Sequence, residues 1–166
     1  MIIAASSQQS SNNNKINHPI TFLNNKIMQT TSNTKVLYTG KTRTTGGREG
    51  AATSSDQQLQ IKLGVPGSGK GTNPEQLFAA GWSACFIGAM GIAANTLGIK
   101  LPADTAVNAE VDLATSENGY GLQARLNVEL PGLAKEVAQQ IVNTAHNTCP
   151  YSKAVKSNIP VAINLV

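Results

Sequence analysis

Alternating apolar and polar residues predict β-strands in the first part of this chain. Residues 35–44 (KVLYTGKTRT) are rich in β-branched and aromatic side chains, which favours a strand, and Gly46–Gly47 predicts the turn that follows it. The sequences AATSS and LQIKL flank residues 56–58 and predict two more strands. Because apolar and polar residues alternate in LQIKL, we expect an antiparallel sheet with one face in solvent. The three strands together predict a meander.

A long apolar segment after this meander predicts a central helix. Asn73 is a favourable N-cap, Pro74 suits the first helical position, and Gln76 completes a pattern similar to a capping box. We expect the helix to run from Pro74 to about residues 95–97, because Gly98 is a typical stop signal. The segment is apolar on nearly every side, which predicts a place inside a domain or in a dimer interface.

The last third of the chain combines strand and helix patterns. Residues 104–113 and 120–130 alternate and are joined by TSENG, which predicts a hairpin. Helical spacing over residues 133–147 predicts a second helix, a short helix is expected after Pro150, and IPVAINLV predicts a closing strand. The whole pattern predicts an α+β domain in which two antiparallel meanders pack on central helices.

The composition separates an N-terminal extension from the domain. The chain has 166 residues, enough for one domain with a substantial core, but the run SSQQSSNNNK and the Asn-rich sequence after it contain little that could be buried. We therefore predict an extension without stable structure over residues 1–34 and one domain over residues 35–166. The extension lacks acids, as mitochondrial transit peptides do, but it also lacks Arg. The expected location is the cytoplasm, or the mitochondrion if the extension is a transit peptide.

Charge and hydropathy limit the expected partners. The net charge is +4, or about +2 without Lys15 and Lys26, and no Lys/Arg cluster lies along the domain sequence. We therefore do not expect nucleic acid as a partner. Residues 76–99 carry no charge and are long enough to span a bilayer. Because Ala, Gly and interspersed polar residues dominate them, we expect a buried helix in a soluble core and not a membrane span.

The sequence GVPGSGKGT at residues 64–72 has the spacing of a phosphate-binding loop, similar to that of adenylate kinases. Such a loop normally follows a fully buried parallel strand, and its helix begins near the Gly-Lys pair. Here the preceding strand is half polar, and a helix begun at Lys70 would carry Pro74 inside it, at a cost of about 3 kcal/mol. The segment is therefore predicted to be a connector.

Two cysteines are the candidates for chemistry. Cys85 lies in the middle of the apolar helix, where a small buried hydrophobe is the simplest interpretation. Cys149 precedes Pro150 and is predicted at the N-cap of the short helix, where the dipole favours a thiolate. The two settings are compatible with a reversible redox pair. Cys85 would need a nearby cation to ionise, and Arg48 and His146 are the candidates.

Three segments carry a specific resemblance. GTNPEQLFAAGWSACFIGAM, NTAHNTCPYSKAV and KVLYTGKTRTTGGREG resemble the organic hydroperoxide resistance (Ohr) branch of the OsmC/Ohr family. The likeness covers about residues 35–166 and keeps the order and spacing of both Cys segments. It departs from that pattern in the connector GVPGSGKG, which is shorter and carries Lys70. The resemblance implies the OsmC/Ohr-like fold and an intertwined homodimer with active sites at the interface.

The resemblance also implies a mechanism. Cys85 would attack the peroxide and become a sulfenic acid, and Cys149 would condense with it to an internal disulfide. Arg48 matches the residue that stabilises the thiolate and polarises the peroxide, and Glu75 matches the acid that pairs with this Arg. The implied substrates are organic hydroperoxides, including those of fatty acids, and the implied reductants are dithiols such as lipoyl groups on partner proteins. No cofactor or metal is implied.

Two other functions remain open at this level. One is a cysteine hydrolase or acyltransferase with His146 as the base for Cys85. The other is a binding domain with inert cysteines. Ten residues separate Glu75 from Cys85, about 15 Å along an unbroken helix. Glu75 would therefore serve Cys85 only through the reach of Arg48, through a bend near Gly81, or across a subunit interface.

Overall fold

The structure, a computed structural model, describes residues 34–166, and the chain divides into two units between Thr39 and Gly40. Residues 34–39 contain no helix or strand. The predicted first strand over residues 35–44 is therefore too long, because strand β1 spans Thr42–Thr45. It pairs only with the four residues of the next strand, so regular pairing extends no further than Thr42. The predicted extension lies outside the described residues except for Thr34.

The first sheet is the predicted meander. Strand β2 spans Ala51–Ser54, strand β3 spans Gln60–Lys62, and the antiparallel order is β1-β2-β3. A single 3-10 turn at Gly47–Glu49 joins the first two strands. Gly46 precedes this turn with φ +71°, and a Cβ there would lie 2.7 Å from the Cα of Gly50. Only glycine fits this position, so the sequence fixes the tight turn that presents Arg48.

The connector ends before the central helix begins, as predicted. The backbone N–H of Gly64 donates to the carbonyl of Thr72, and the N–H of Thr72 donates to that of Lys62. These bonds close the loop onto the end of β3. Helix α1 spans Pro74–Thr96 and does not start at Lys70. The preceding strand belongs to an antiparallel sheet, so the parallel strand of a phosphate-binding unit is not present in this part of the chain.

Both ends of α1 are capped by the predicted residues. The side chain of Asn73 accepts the N–H of Gln76 at 2.9 Å. At the other end Gly98 has φ +68°, and the N–H groups of Gly98 and Ile99 donate to the carbonyls of Asn95 and Ala94. This is the Schellman pattern, which favours glycine because of the left-handed backbone. Local sequence therefore determines where the 23-residue helix begins and ends.

The second sheet has one strand direction that differs from the prediction. Strands β4 (Ala106–Ser116) and β5 (Gly119–Glu129) form the predicted hairpin, and helices α2 (Lys135–Thr148) and α3 (Pro150–Val155) follow. Strand β6 (Val161–Leu165) pairs in parallel with β5, so this sheet is not an antiparallel meander. The physical reason is the crossover: two helices separate β5 from β6 and return the chain to the same end of the sheet. The predicted α+β class is confirmed.

The core lies between α1, α2 and the inner face of the second sheet. Trp82, Phe86 and Met90 of α1 are fully buried against it, which stabilises the fold by about 1.5–3 kcal/mol for each side chain. The opposite side of α1 is different. One exposed apolar or small residue per turn lies there: Ala80, Ala84, Gly88 and Ile92. Among the described residues α1 is the one helix long and apolar enough to cross a membrane, and its buried side agrees with the predicted core helix.

Candidate active site

The fold brings the two cysteines together. The Sγ atoms of Cys85 and Cys149 lie 3.5 Å apart, although 64 residues separate them in the chain. Cys149 is fully buried and Cys85 is partly buried, and both are free thiols. Two thiols in direct contact form a disulfide when the sulfurs approach to about 2.05 Å.

Local structure explains why Cys149 lies at this point. Its N–H donates to the carbonyl of Ala145 at the end of α2, and Pro150 then begins α3. Cys149 thus occupies the predicted N-cap position of the short helix. The indole N–H of Trp82 donates to the hydroxyl of Ser152 at 3.1 Å, and both side chains are buried. Because this bond ties α3 to α1, it holds Cys149 beside Cys85.

The surroundings of Cys85 disfavour its thiolate overall. Burial raises the pKa of the Cys85 thiol, and the neighbouring sulfur of Cys149 raises this pKa further. The backbone N–H of Tyr151, in the first turn of α3, bonds to the Cys85 sulfur and acts in the opposite direction. Activation at neutral pH therefore needs an additional positive charge or the polarising effect of a substrate.

Aromatic side chains cover α1 one turn before Cys85. The rings of Phe78 and Trp82 meet edge to face with centroids 5.6 Å apart, and the rings of Phe78 and Tyr151 lie 6.1 Å apart. A Cβ on Gly81 would lie 3.1 Å from the Tyr151 hydroxyl, so this phenol packs directly over Gly81. Residues four apart share a helix face, which places the Tyr151 ring beside the approach to Cys85.

Arg48 and Glu75 form a bidentate ion pair within one chain. The two terminal nitrogens of Arg48 donate to the two carboxylate oxygens of Glu75 at 2.9 and 2.6 Å. The turn between β1 and β2 supplies Arg48, and the first turn of α1 supplies Glu75. The Glu75 side chain is 11% exposed, whereas that of Arg48 is 43% exposed. The planar guanidinium matches the carboxylate geometry, which a Lys would not.

The Arg48–Glu75 pair predicts a pH dependence of stability. The hydrogen bonds from Arg48 lower the pKa of Glu75 below its ordinary value of 4.5. A lowered folded-state pKa means that the pair stabilises the fold fully above the ordinary value of 4.5 and loses this effect as the pH falls through the lowered pKa. The Glu75→Gln variant should therefore melt slightly below the wild type at pH 7, because water screens the exposed Arg48 side chain.

Thermal unfolding of both proteins between pH 3 and pH 8 measures this effect. The gap in Tm should be constant in the upper part of the range and close in the most acidic samples. A Tm gap that persists unchanged at the lowest pH would contradict the assigned ion pair.

An apolar cavity of about 370 Å³ lies next to this ion pair. Arg48, Glu75 and Phe78 line one side, and the β4–β5 hairpin supplies the other side through Leu113, Tyr120, Gly121 and Leu122. Tyr120 is 84% exposed and Leu113 is 47% exposed, which is unusual for large apolar side chains. The cavity can therefore hold an apolar group beside a guanidinium.

The structure brings the predicted residues together in two pairs. Cys85 contacts Cys149, and Arg48 contacts Glu75, but no hydrogen bond joins Arg48 to the Cys85 sulfur within residues 34–166. Helix α1 is continuous from Pro74 to Thr96, so about 15 Å of helix separates Glu75 from Cys85. Nδ1 of His146 is buried without a hydrogen-bond partner in the described part of the chain. No hydrogen bond joins His146 to Cys85 among the described residues.

Some of the site was not found from the sequence. Ser152 anchors α3, the N–H of Tyr151 bonds to Cys85, and Tyr120 lines the cavity beside Arg48. The first two lie within three residues of Cys149 in the chain, and this proximity is the signal that could have identified them. Tyr120 gives no comparable signal, because it lies near the start of β5 and an aromatic residue is common in a strand.

Comparison with known proteins finds related sequences and structures. Residues 67–164 match the family model described as OsmC-like protein. The chain is 46% identical over 136 residues to the organic hydroperoxide resistance protein of Xanthomonas axonopodis pv. citri (79% of this chain, 96% of the relative). It is 37% identical to OhrA of Bacillus subtilis (78% and 96%). The crystal structure of OhrB of Bacillus subtilis superposes with a TM-score of 0.74 at 39% identity, covering 79% of this chain and all of that one.

Proposed function

Because this chain belongs to the OsmC-like protein family and resembles its organic hydroperoxide resistance members, we propose that it is a cysteine-based peroxidase for organic hydroperoxides. Its relatives carry names that link them to protection against these oxidants. The observation that best supports the proposal is the 3.5 Å contact between the Cys85 and Cys149 sulfurs. A peroxidase that recycles through a disulfide needs two thiols at this distance, whereas a hydrolase needs only one.

The proposed reaction begins with the Cys85 thiolate. It attacks the terminal oxygen of the hydroperoxide, the O–O bond breaks, and the alkoxide takes a proton and leaves as the alcohol. Cys85 is then a sulfenic acid. The Cys149 thiol condenses with it, a disulfide forms and water leaves. The peroxide has then gained two electrons, which came from the two sulfurs.

Arg48 and Glu75 have the proposed roles of activation and orientation. A guanidinium near the peroxide favours the Cys85 thiolate and stabilises the charge on the departing alkoxide. The Arg48 side chain is 43% exposed and the turn that carries it is a single 3-10 turn, so little packing opposes its rotation toward Cys85. Glu75 limits this motion through the bidentate bond. We treat Glu75 as a positioning residue and not as a reacting group.

The same proposal includes a homodimer. The exposed stripe on α1 leaves Ile92 71% exposed in the single chain. The face of the first sheet that carries Ala52 and Ile61 is also poorly covered, since Ala52 is the one buried residue of the three described strands. A second copy that covered both surfaces would remove this apolar area from water. It would also enclose the cavity beside Arg48.

Thiol titration tests the proposed function. One equivalent of cumene hydroperoxide should remove both free thiols of the wild type together, with one equivalent of cumyl alcohol formed. Addition of dihydrolipoamide should restore both thiols and give continuous turnover. If the peroxide is consumed with no loss of thiols, or if the thiols disappear without forming the alcohol, the proposed function is wrong.

A further inference from the structure

The first sheet has one face that is entirely exposed. Residues directly opposite one another in the register share a face, and faces alternate along each strand. Arg43, Thr53 and Gln60 are opposite one another, as are Thr45, Ala51 and Lys62. All six are exposed. The other face holds the buried Ala52 and the partly buried Ile61. The outer face is therefore available to a partner.

Positive charge is concentrated on this outer face. Two cavities adjoin it, one of about 440 Å³ lined by Lys41 and Arg43 and one of about 480 Å³ lined by Lys62 and Lys70. We define these four residues as the cationic face. No ion pair involves any of them within residues 34–166, and Glu49 is the acid that lines the second cavity. The face therefore keeps most of its charge for an external ligand.

Charge is distributed unevenly between the first sheet and the rest of residues 40–166, which supports a binding role for the cationic face. Residues 40–72 carry five cations and two acids, a net charge of +3. Residues 73–166 carry five cations and seven acids, a net charge of −2. Among those acids, Glu110 and Asp112 are paired with Arg125 on the second sheet. An approaching anionic partner is thus attracted to the first sheet and not to the remainder of the domain.

The cationic face adjoins the candidate active site. Glu49 and Gly50 line the cavity of Lys62 and Lys70, while Arg48 of the same turn lines the apolar cavity beside Glu75. Residues of one turn thus line both cavities. A partner bound to the outer face of β1–β3 would lie beside this turn.

The burial of the cysteines restricts how this partner can act. Cys149 is fully buried and Cys85 is only partly exposed, so an external thiol can attack the disulfide only at the Cys85 sulfur. A narrow dithiol on a flexible arm suits this restricted approach. One thiolate of that dithiol attacks the Cys85 sulfur and releases Cys149, and the second thiol then displaces Cys85 and closes a cyclic disulfide. Two electrons and two protons pass from the dithiol to the protein.

Resting on the proposed peroxidase function, we propose that the cationic face docks an acidic protein that carries the reducing dithiol on such an arm. The strands that form this face have no aromatic side chain on which nucleic-acid bases could stack, which favours a protein over a single-stranded nucleic acid. Recognition by surface charge predicts fast, salt-sensitive association, as suits a carrier that must leave after each reduction.

Charge reversal with two reductants tests the proposal. The double variant Arg43→Glu/Lys62→Glu is compared with Lys100→Glu/Lys135→Glu, which changes the net charge equally at exposed positions outside the first sheet. Reduction is driven either by an acidic dihydrolipoyl domain or by free, uncharged dihydrolipoamide. With the domain at low salt, kcat/KM of the first variant should fall about tenfold or more, and the difference should shrink at high salt. With dihydrolipoamide the change should stay below about twofold, since no docking is needed.

The outcomes separate the two proposals. Equal losses in both double variants would overturn the docking surface, because net charge alone would then explain the effect. So would an unchanged rate with the acidic domain. A wild type that keeps both thiols and forms no alcohol with one equivalent of cumene hydroperoxide would overturn the peroxidase function and the docking proposal with it. Arg43→Gln/Lys62→Gln, which removes the charge without reversing it, should show a smaller loss in the same direction if the reversed variant does not fold.

Discussion

Replacement of Cys85 by Ser should abolish peroxide reduction, with a loss of at least about a thousandfold in kcat/KM for cumene hydroperoxide. A serine hydroxyl has nearly the shape of the thiol but stays protonated at neutral pH and is a poor nucleophile toward an O–O bond. Nothing else in the described site can take over the attack, because Cys149 is fully buried beneath Cys85. Alcohol formation under excess dihydrolipoamide is the measurement.

A loss of catalysis in Cys85→Ser must be distinguished from a loss of folded protein. Cys85 is only partly buried, so exchanging sulfur for oxygen should leave far-UV circular dichroism unchanged and Tm close to that of the wild type. The matched control is Cys149→Ala, which also removes one sulfur from the same contact but should keep the first chemical step. Appreciable turnover by Cys85→Ser would mean that the reacting atom has been assigned wrongly.

Much of the fold follows from local sequence. Asn73, Pro74 and Gly98 determine the bounds of α1 because each satisfies or terminates backbone hydrogen bonds within a few residues of itself. The parallel direction of β6 could not be predicted in this way, since it depends on how α2 and α3 return the chain over the sheet. The first strand was predicted too long for a similar reason. Residues 35–41 have strand propensity, but β2 is too short to pair with them.

The candidate site was predictable only in part for the same reason. The separation of 64 residues between the cysteines carries no information about distance, and their settings suggested only compatibility with a redox pair. The pairing of Arg48 with Glu75 and of Cys85 with Cys149 was implied by the family resemblance, and the structure brings each pair together. Residues that act through the backbone, such as Tyr151, leave no side-chain pattern to detect.

The cationic face is the clearest example of a feature that the linear sequence does not reveal. No cluster of Lys and Arg lies along the domain sequence, which argues against a nucleic-acid partner. Antiparallel pairing nevertheless places Arg43 and Lys62 on one face, and the closed connector brings Lys70 beside Lys62. Charge that is dispersed along the chain is therefore concentrated by register. The dispersed cations of the sequence and the clustered cations of the folded sheet are both consistent with a partner that is an acidic protein and not a nucleic acid.

Replacement of Cys149 by Ala should separate the first step from recycling. Cys149 raises the pKa of Cys85 through their sulfur contact, so its removal should lower that pKa, although burial continues to hold it above the ordinary value. Alkylation of Cys85 by iodoacetamide should accordingly begin at lower pH in the variant. One equivalent of peroxide should be reduced at a rate within about tenfold of the wild type.

Continuous turnover by this variant should nevertheless fail under repeated oxidation. Without Cys149 the sulfenic acid of Cys85 has no thiol within 3.5 Å, so excess peroxide should carry it to the sulfinic acid, which dithiols do not reduce. Mass spectrometry of Cys85 after successive additions of cumene hydroperoxide should show this irreversible gain of two oxygens, while the wild type shows a loss of two hydrogens. A variant that turns over indefinitely with dihydrolipoamide, at the wild-type rate and without this oxidation, would show that the buried sulfur is not the resolving group. The contact between the two sulfurs would then have only a packing role.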